Sequence, residues 1–367
     1  MQNKNWQWRS QTWVKCTAVF FIYLFTINSL ISIHPLETTM HSVFFLRWPI
    51  FACALAYWLL TAPHAKKLFL QTLIIVCALI MLDCIFQYLN GTDMLGKPTL
   101  PDHRLSGPYS APVPGIMLLR VLFVGNFALL IFPKLRISHY AFLLQWLFFC
   151  VCVLFLMLTG ERMALLLYIF GLLIIVPMLV KTAKIKRRDI TLGLLVLLGM
   201  FTILVLLAPT TGARVTTSIY EKITHFGDSD YGLVFKAALE AWQQHIWFGS
   251  GLHTYREVCN SMGLLTSWGM SCTHPHNLYL LLGAETGVIG VIIFCVMIFY
   301  IYKEVIASLL RQKEWWALGL SIAALTVCFF PLIGGISLWN NWVAALVWAT
   351  VGWTLAISQT LTAYREV

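Results

Sequence analysis

Polar residues stand at the start of a long apolar stretch, in the sequence "SCTHPHNLYLLLGAETGVIG" that covers residues 271–290. Histidine can accept a proton near neutral pH, so His274 and His276 are candidates for a general base. The alternatives are that His274 only caps the start of the helix and that Asn277 is an N-cap rather than a ligand. Glu285 lies inside the apolar stretch, either as a buried structural acid or as a substrate-binding group. The pattern favours proton transfer at the start of an apolar helix.

Four arginines are candidates for binding an anionic substrate. Arg104 lies in "DHRLSGPYS", Arg162 lies in "LTGERMALLL", and Arg47 and Arg120 lie within apolar runs. A charge inside an apolar span is costly and usually faces a cavity or a partner. Arginine binds phosphate with a planar, forked set of donors. Arginines near a basic histidine therefore indicate a phosphate-bearing, membrane-bound molecule that is attacked by a hydroxyl group.

Each arginine also has a structural alternative. An ion pair would hold the side chain in the fold, and a long side chain near a membrane surface can reach the headgroups. The alternatives are pairing of Arg162 with Glu161, pairing of Arg120 with Asp83 or Glu285, and contact of Arg47 with lipid headgroups.

Other chemistries fit the sequence poorly. The His-x-His pair has no cysteines or carboxylates beside it that would complete a zinc site. No Walker or dinucleotide-binding glycine motif occurs, and no acidic cluster indicates a magnesium-dependent reaction on a nucleotide sugar. We therefore expect a reaction without metal or cofactor. The net charge of +10 reflects membrane topology, and nucleic acid is not an expected partner.

Composition shows which elements must position these residues. Of the 367 residues, 59% are hydrophobic and 11% are charged, and the mean hydropathy is +0.79. A soluble domain carries about 25% charged residues, so the sequence predicts an all-α, polytopic membrane protein with about ten transmembrane helices. The predicted spans are 13–33, 41–62, 68–90, 113–132, 139–159, 162–180, 190–208, 277–302, 315–332 and 342–360.

Lysine and arginine in the loops predict the orientation. They concentrate in the segments that lie inside when the N-terminus is cytoplasmic, for example between residues 181 and 188. Both termini are then cytoplasmic, and the candidate residues lie on the outer face. The predicted division is an N-terminal bundle of about seven helices over residues 1–208, an outer segment over 209–276, and C-terminal helices over 277–367.

The long outer segment contains a predicted amphipathic helix. Large apolar residues recur at helical spacing, an acidic and serine cluster could cap the start, and glycines in "WFGSG" should end the helix. The helix could lie on the bilayer as a lid, and it could also form a wall of a substrate site. The apolar residues are Phe235, Leu239, Trp242 and Ile246, the capping candidates are Asp228, Ser229 and Asp230, and the glycines are Gly249 and Gly251.

Two of the ten cysteines, Cys259 and Cys272, lie in the outer segment, thirteen positions apart. An oxidising compartment permits a disulfide there. Closing a loop of this size contributes on the order of 3 kcal/mol to stability. We hypothesise that the bond forms and anchors the chain just before His276.

The motifs resemble those of the O-antigen ligase and polymerase superfamily. "HPHNLYLLLGAETGVIGVIIF" resembles its His-Asn pair at the start of a span, followed by an acid-x-Gly-x-x-Gly element, here Glu285, Gly287 and Gly290. "LTGERMALLL" resembles the Thr-x-x-Arg-x-x-x-Leu element, with Arg162 at its arginine. "RLSGPYSAPVPG" resembles an Arg-x-x-Gly segment, and "HIWFGSGLHTY" resembles a loop segment that reads Pro-x-x-Gly-x-Gly in the family.

The resemblance implies a glycosyltransferase of the bacterial inner membrane with its site facing the periplasm. Its donor would be an undecaprenyl-diphosphate-linked glycan. A ligase transfers this glycan to lipid A–core with inversion and without metal, whereas a polymerase transfers it to another lipid-linked repeat. The resemblance implies that His276 is the base and that Arg162 binds the diphosphate. An O-antigen ligase is the expected activity, with a polymerase, a protein O-oligosaccharyltransferase and a transporter as alternatives.

The sequence departs from the family pattern in the loop before the amphipathic helix. Ligases of this type often carry a second arginine there, and Tyr231 stands at the corresponding position, followed by Gly232. Proline is also common where Ile246 and Trp247 stand. A cation elsewhere in the outer segment could replace the arginine, the candidates being Lys236, Arg214 and Arg256.

Overall fold

The structure, a computed structural model, describes residues 6, 8–128, 139–182, 187–207, 224–263, 272, 274–332 and 336–360. Within these ranges the chain is nearly all helical and contains no β-strand beyond two isolated bridges. The predicted all-α fold is confirmed. Arg214 lies outside the described residues.

Twelve α-helices of seven or more residues are described along the chain, with two π-helical turns that extend the first two of them and a three-residue helix at Ser29–Ile31. The helices are α1 (Thr12–Tyr23), α2 (Pro35–Ala54), α3 (Pro63–Asn90), α4 (Pro114–Gly125), α5 (His139–Leu158), α6 (Arg162–Lys181), α7 (Arg187–Leu207), α8 (Asp230–Gln244), α9 (Tyr255–Ser261), α10 (Leu278–Arg311), α11 (Trp315–Phe329) and α12 (Asn341–Thr360), and the π-turns are Leu24–Asn28 and Leu55–Leu59.

Most of these helices are apolar enough to lie in a bilayer. Among the described residues, six are long and apolar enough to span it, and four apolar helices are shorter. Each of the predicted spans overlaps one of these helices. The chain is therefore a multi-pass membrane protein, as the apolar runs predict.

Proline and glycine set several helix ends. Pro35, Pro63 and Pro114 each occupy the first turn of a helix, where the missing N–H costs nothing. α3 ends at Gly91, which adopts the left-handed conformation with a φ of 77° and donates its N–H to Gln87 O.

The described residues form two compact units, each built from segments that are distant in sequence. Unit 1 comprises the described parts of Met1–Trp58, Lys222–Glu304 and Phe329–Leu355. Unit 2 comprises the described parts of Leu59–Glu221, Val305–Cys328 and Ala356–Val367. The sequence-based division at residues 208 and 276 follows chain order instead and stays a prediction.

Unit 1 contains α1, α2, α8, α9, most of α10 and most of α12. Its α8 packs on α9 and on α10 through small side chains, with Ala237, Ala238 and Ala241 fully buried. Trp242 of α8 lies against Gly283 of α10, where a Cβ would come within 2.4 Å of the indole. Small residues thus bring these helices close together.

Unit 2 is centred on α4, in which every residue is buried. Helices α3, α5 and α6 all pack against it. The contact with α6 is close, because a Cβ on Gly171 would lie 2.3 Å from the Phe123 ring. Tyr168 of α6 also stacks on Phe123 with ring centroids 4.9 Å apart.

Candidate active site

Asn277 caps the N-terminus of α10. Its side-chain oxygen accepts hydrogen bonds from the backbone N–H of Tyr279 at 2.9 Å and of Leu280 at 3.1 Å. The N–H of Leu278 donates to Pro331 O at 3.0 Å. The cap satisfies donors that have no partner within the helix. It thereby fixes the direction of the chain next to His276.

His276 precedes this cap in a constrained backbone conformation. Its φ is 51°, a left-handed conformation that non-glycine residues rarely adopt. The side chain is half-buried, whereas that of His274 is buried with 7% exposed. The two imidazole rings meet edge to face, with centroids 5.4 Å apart. His274 thus lies beside the candidate base as a supporting residue.

The second neighbour of His276 comes from α8. The ring of Tyr231 lies 5.3 Å from the imidazole, centroid to centroid, at an interplanar angle of 59°. Ser229 caps α8 by accepting from the N–H of Gly232 at 3.2 Å, so of the predicted cap candidates it is the serine that acts. Tyr231, the predicted departure from the family motif, is therefore an aromatic neighbour of His276.

The large apolar residues of α8 do not all form its packed face. Leu239 is 45% exposed and Ile246 is 47% exposed, while the neighbouring alanines are buried. Leu239 and Ile246 therefore lie on an exposed side, whereas Trp242 packs against Gly283. Helix α8 ends at Gln244, five residues before the glycine that the sequence pattern uses as its end signal.

A disulfide joins Cys259 at the end of α9 to Cys272, with Cα atoms 5.3 Å apart. Both cysteines are buried in the cluster that α8, α9 and α10 share. The bond attaches the chain four positions before His276 to this cluster. It therefore restrains the segment that leads to the candidate base.

Helix α10 is interrupted at Gly287, whose φ is 66° and ψ is −178°. The break leaves backbone carbonyls without helical partners on one side and N–H groups without them on the other. A Cβ at this position would lie 2.3 Å from the backbone of Trp247 and Phe248. Glycine is required here both by its conformation and by this contact.

The "IWFGSG" segment fills the break. The N–H groups of Val288 and Ile289 donate to the carbonyls of Ile246 and Trp247, at 2.8 and 3.2 Å. On the other side, Ser250 N–H donates to Ala284 O at 2.9 Å, and Gly251 N–H donates to Glu285 O at 3.0 Å. Two motifs that are about forty residues apart therefore form one hydrogen-bonded unit.

The π-turn that follows α1 closes the same unit. Asn28 donates through its side-chain amide to Phe248 O and to Glu285 O, both at 2.9 Å. Tyr23 donates its hydroxyl to Thr286 O at 2.6 Å. π-turns are frequent at functional sites, and this one directs Asn28 to the break. The N-terminal helix thus holds the α8–α10 connection in place.

Glu285 is 2% exposed, and its carboxylate faces protein donors. It accepts from the N–H of Tyr255, at the start of α9, at 3.3 Å. It also accepts from the indole N–H of Trp339 at 2.5 Å. These contacts favour the structural alternative for Glu285 over substrate binding.

In unit 2, the carboxylate of Glu161, the residue before α6, binds the start of α4. The Glu161 carboxylate accepts from the N–H of Gly115 at 2.6 Å and of Ile116 at 3.0 Å, and so caps α4. A Cβ on Gly115 would approach Glu161 and Thr159 within 2.9 Å. The carboxylate is thus bound to the start of α4, which ties the turn before Arg162 to the centre of the unit.

Burial raises the pKa of Glu161 to about 7. The two backbone N–H donors and the charges of Arg104 and Arg120 oppose this rise. Glu161 is therefore within electrostatic reach of both arginines. Arg162, the first residue of α6, follows Glu161 directly in the chain.

Gln87 organises the loop that carries Arg104. Its side-chain oxygen accepts from the N–H of Ser106 and of Gly107, both at 2.9 Å. Its amide donates to Pro98 O and to the Ser106 hydroxyl. The Gln87 side chain is fully buried. One residue near the end of α3 therefore binds the loop both before and after Arg104.

The other candidate cations lie in varied surroundings. Arg120 is buried in α4 and donates to Ile116 O. Arg47 is exposed and donates to the side-chain oxygen of Asn341 at 2.6 Å. Lys236 lies 3.9 Å from Glu240 on the exposed side of α8, and Arg256 is exposed on α9. None of these contacts assigns a substrate to the residue concerned.

The sequence interpretation did not identify several residues that hold the candidate site. Gln87, Glu161 and Asn28 bind backbone groups far along the chain, and no local spacing reveals such bonds. Tyr231 was noted only as a departure from a motif. Its placement beside His276 depends on how α8 packs, which the pattern of apolar residues did not determine.

Comparison with known proteins agrees with the motifs. Residues 147–295 match the family model Wzy_C, described as O-Antigen ligase. No curated protein was found to match the chain. The matched region includes Arg162, Tyr231, His276 and the glycine break in α10. The match confirms the resemblance to the O-antigen ligase superfamily over residues 147–295.

Proposed function

We propose that the protein is an O-antigen ligase, an inverting and metal-independent glycosyltransferase. It transfers an O-antigen glycan from undecaprenyl diphosphate to a sugar hydroxyl of lipid A–core. The reaction takes place at the periplasmic face of the bacterial inner membrane, with both termini in the cytoplasm. The family match supports glycosyl transfer of the ligase or polymerase type. The choice of lipid A–core as acceptor is part of the proposal.

The placement of His276 carries the proposal. The residue keeps a left-handed backbone between His274 and an asparagine cap, and such strained positions cluster at functional sites. Its imidazole is half-buried and lies between two aromatic rings. A base must be held in one orientation and still reach its substrate, and this arrangement meets both needs.

The proposed reaction has a single displacement step. His276 takes the proton from the acceptor hydroxyl, and the hydroxyl oxygen attacks the anomeric carbon of the donor. The bond from that carbon to the diphosphate oxygen breaks, and undecaprenyl diphosphate leaves with the electron pair. Attack opposite the leaving group inverts the anomeric configuration.

In this proposal, arginines act on the leaving group. Negative charge grows on the departing diphosphate, so fixed cations stabilise the transition state more than the ground state. Arg162 is the family-motif arginine, and Arg104 lies on the loop that Gln87 holds. The carboxylate of Glu161, the residue before Arg162, accepts hydrogen bonds from the start of α4.

Replacement of His276 in the native host tests this proposal. We expect His276→Ala to leave bare core lipopolysaccharide while lipid-linked polymer accumulates, at an unchanged level of the protein. His225→Ala is the matched control, since His225 is an exposed histidine of the same unit. Core carrying a single repeat would identify a polymerase instead. Full-length O-antigen on the core would exclude His276 as the base.

A further inference from the structure

A cleft in unit 1 lies outside the residues to which we assign the transfer reaction. It is lined by residues from α2, from the loop after α8 and from the start of α12. The lining combines aromatic side chains with two histidines and an amide, and it contains no carboxylate. The lining residues are His41, Phe44, Phe45, Leu252, His253, Trp339 and Asn341.

The two histidines of the cleft lie face to face. The rings of His41 and His253 are parallel within 13°, and their centroids are 4.0 Å apart. Burial lowers the pKa of His253, neighbouring His41 lowers it further, and Glu37 opposes the change. A neutral His253 can lie against His41 without like-charge repulsion. The neutral His253 ring offers one N–H donor.

The backbone of His253 is held in a strained conformation. Its φ is 72°, in the left-handed region that favours glycine. The residue before it is held by two hydrogen bonds. Leu252 donates its N–H to the side-chain oxygen of Asn28, and its carbonyl accepts from the hydroxyl of Thr38 at 3.2 Å. Strain that the surroundings maintain beside a cleft indicates a functional position.

The other walls are also held in place. Trp339 packs edge to face on Phe45 with centroids 4.6 Å apart, and its indole N–H donates to Glu285. Asn341 is oriented by the guanidinium of Arg47 at 2.6 Å. This bond uses one of the five N–H donors of the guanidinium. The cleft is thus a preformed site with a cation at its edge.

The surroundings of the cleft are apolar and outward-facing. Met40, Val43 and Phe44 of α2 are each more than half exposed, on a helix long and apolar enough to span the bilayer. Such side chains face lipid in a membrane protein. A ligand with a polar headgroup and a hydrocarbon tail fits both parts of this surface.

From the stacked histidines, Arg47, Asn341 and the apolar rim, we propose that this cleft binds the phosphate headgroup of a membrane lipid. Arg47 supplies the charge and the forked donors for the phosphate. The histidines and Asn341 supply further N–H donors, and the aromatic floor contacts the first carbons of the tail.

Native mass spectrometry of the purified, detergent-solubilised protein tests the proposal with three probes. Dioctanoyl phosphatidic acid carries both phosphate and tail, inorganic phosphate lacks the tail, and dioctanoylglycerol lacks the phosphate. We expect the phosphatidic acid to bind at least about tenfold more tightly than either of the other probes. Equal binding of inorganic phosphate or of dioctanoylglycerol would contradict a lipid-phosphate site.

Two variants and one control complete the test. Arg47→Gln and His253→Gly should each weaken binding of phosphatidic acid by about tenfold or more. His253→Gly removes the ring at a position whose φ suits glycine, so the fold should be retained. His64→Ala, an exposed histidine of unit 2, should bind like the unmodified protein. Unchanged binding in both cleft variants would overturn the proposal, whatever the outcome of the transfer assays.

Discussion

The ring of Tyr231 lies 5.3 Å from the imidazole of His276. An aromatic side chain of α8 is thus a direct neighbour of the candidate base. Tyr231 belongs to the first turn of α8, whose start is fixed by Ser229. We expect Tyr231 to position His276 rather than to take part in bond making.

Substitutions of Tyr231 separate positioning from chemistry. Tyr231→Phe keeps the ring and should retain activity within about threefold, whereas Tyr231→Ala should lower kcat by about tenfold to about a hundredfold, because a misplaced base reacts slowly. Initial rates at saturating donor over a range of pH provide the measurement. The alanine variant should also shift the pH profile of kcat, which a structural defect alone would not do. Equal rates for the two variants would show that the ring contact has no role.

Replacement of the glycine at the break of α10 should disrupt the two-motif unit. Gly287→Ala adds a methyl group within 2.3 Å of the Trp247 backbone and forces a non-glycine residue to a φ of 66°. We expect a lower melting temperature and loss of transfer activity. Gly199→Ala in α7 is the control, since no atom lies within 4 Å of its Cβ, and it should melt at the same or a higher temperature. Equal melting of the Gly287 variant and the unmodified protein would contradict the described packing.

Loss of the disulfide should destabilise unit 1. Cys259→Ser is expected to lower the free energy of unfolding by about 3 kcal/mol, because the unfolded chain regains the freedom of an open loop. Thermal unfolding with and without reductant provides the test. Reductant should lower the melting temperature of the unmodified protein but not of Cys259→Ser, while Cys295→Ser, at an exposed free cysteine, should behave like the unmodified protein. Insensitivity of the unmodified protein to reductant would count against the bond.

Glu161 predicts a pH dependence of stability. Its pKa is raised from the ordinary value of 4.5 to about 7, so folding disfavours the ionised form. The stability that the neutral form contributes is fully present below about pH 4.5 and is lost as the pH rises through about 7. Glu161→Gln cannot ionise at this position and should not show this loss. The melting temperature of the unmodified protein should therefore fall relative to that of the variant as the pH rises from about 4.5 to about 7. A difference that does not change with pH would contradict the raised pKa.

The fold was largely predictable, because membrane spans are long apolar runs that composition reveals directly. The Asn277 cap was also predictable, because a cap binds backbone groups of residues that lie next to it in the chain. The break at Gly287 and its pairing with "IWFGSG" were not, because they depend on hydrogen bonds between distant segments. The packed face of α8 was predicted only in part, since Trp242 packs against the core but alanines, rather than Leu239, complete that face.

The candidate site was predicted more by residue type than by contact. His276 and Arg162 follow from motifs and from the cost of placing charge in a membrane. Glu161 and Gln87 were not singled out as positioning groups, because each binds backbone N–H groups that any sequence would offer. The apolar stretch around Glu285 suggested either of two roles, and only its contacts with Tyr255 and Trp339 favour the structural one.

The central claim is that His276 is the base of a glycosyl transfer. The direct measurement is the single-turnover rate with purified protein, a lipid-diphosphate-linked glycan and lipid A–core in detergent. The account predicts that His276→Ala lowers this rate by about a hundredfold to about ten-thousandfold, with donor binding unchanged. A rate within about threefold of the unmodified protein, at equal folding and equal donor binding, would contradict the claim.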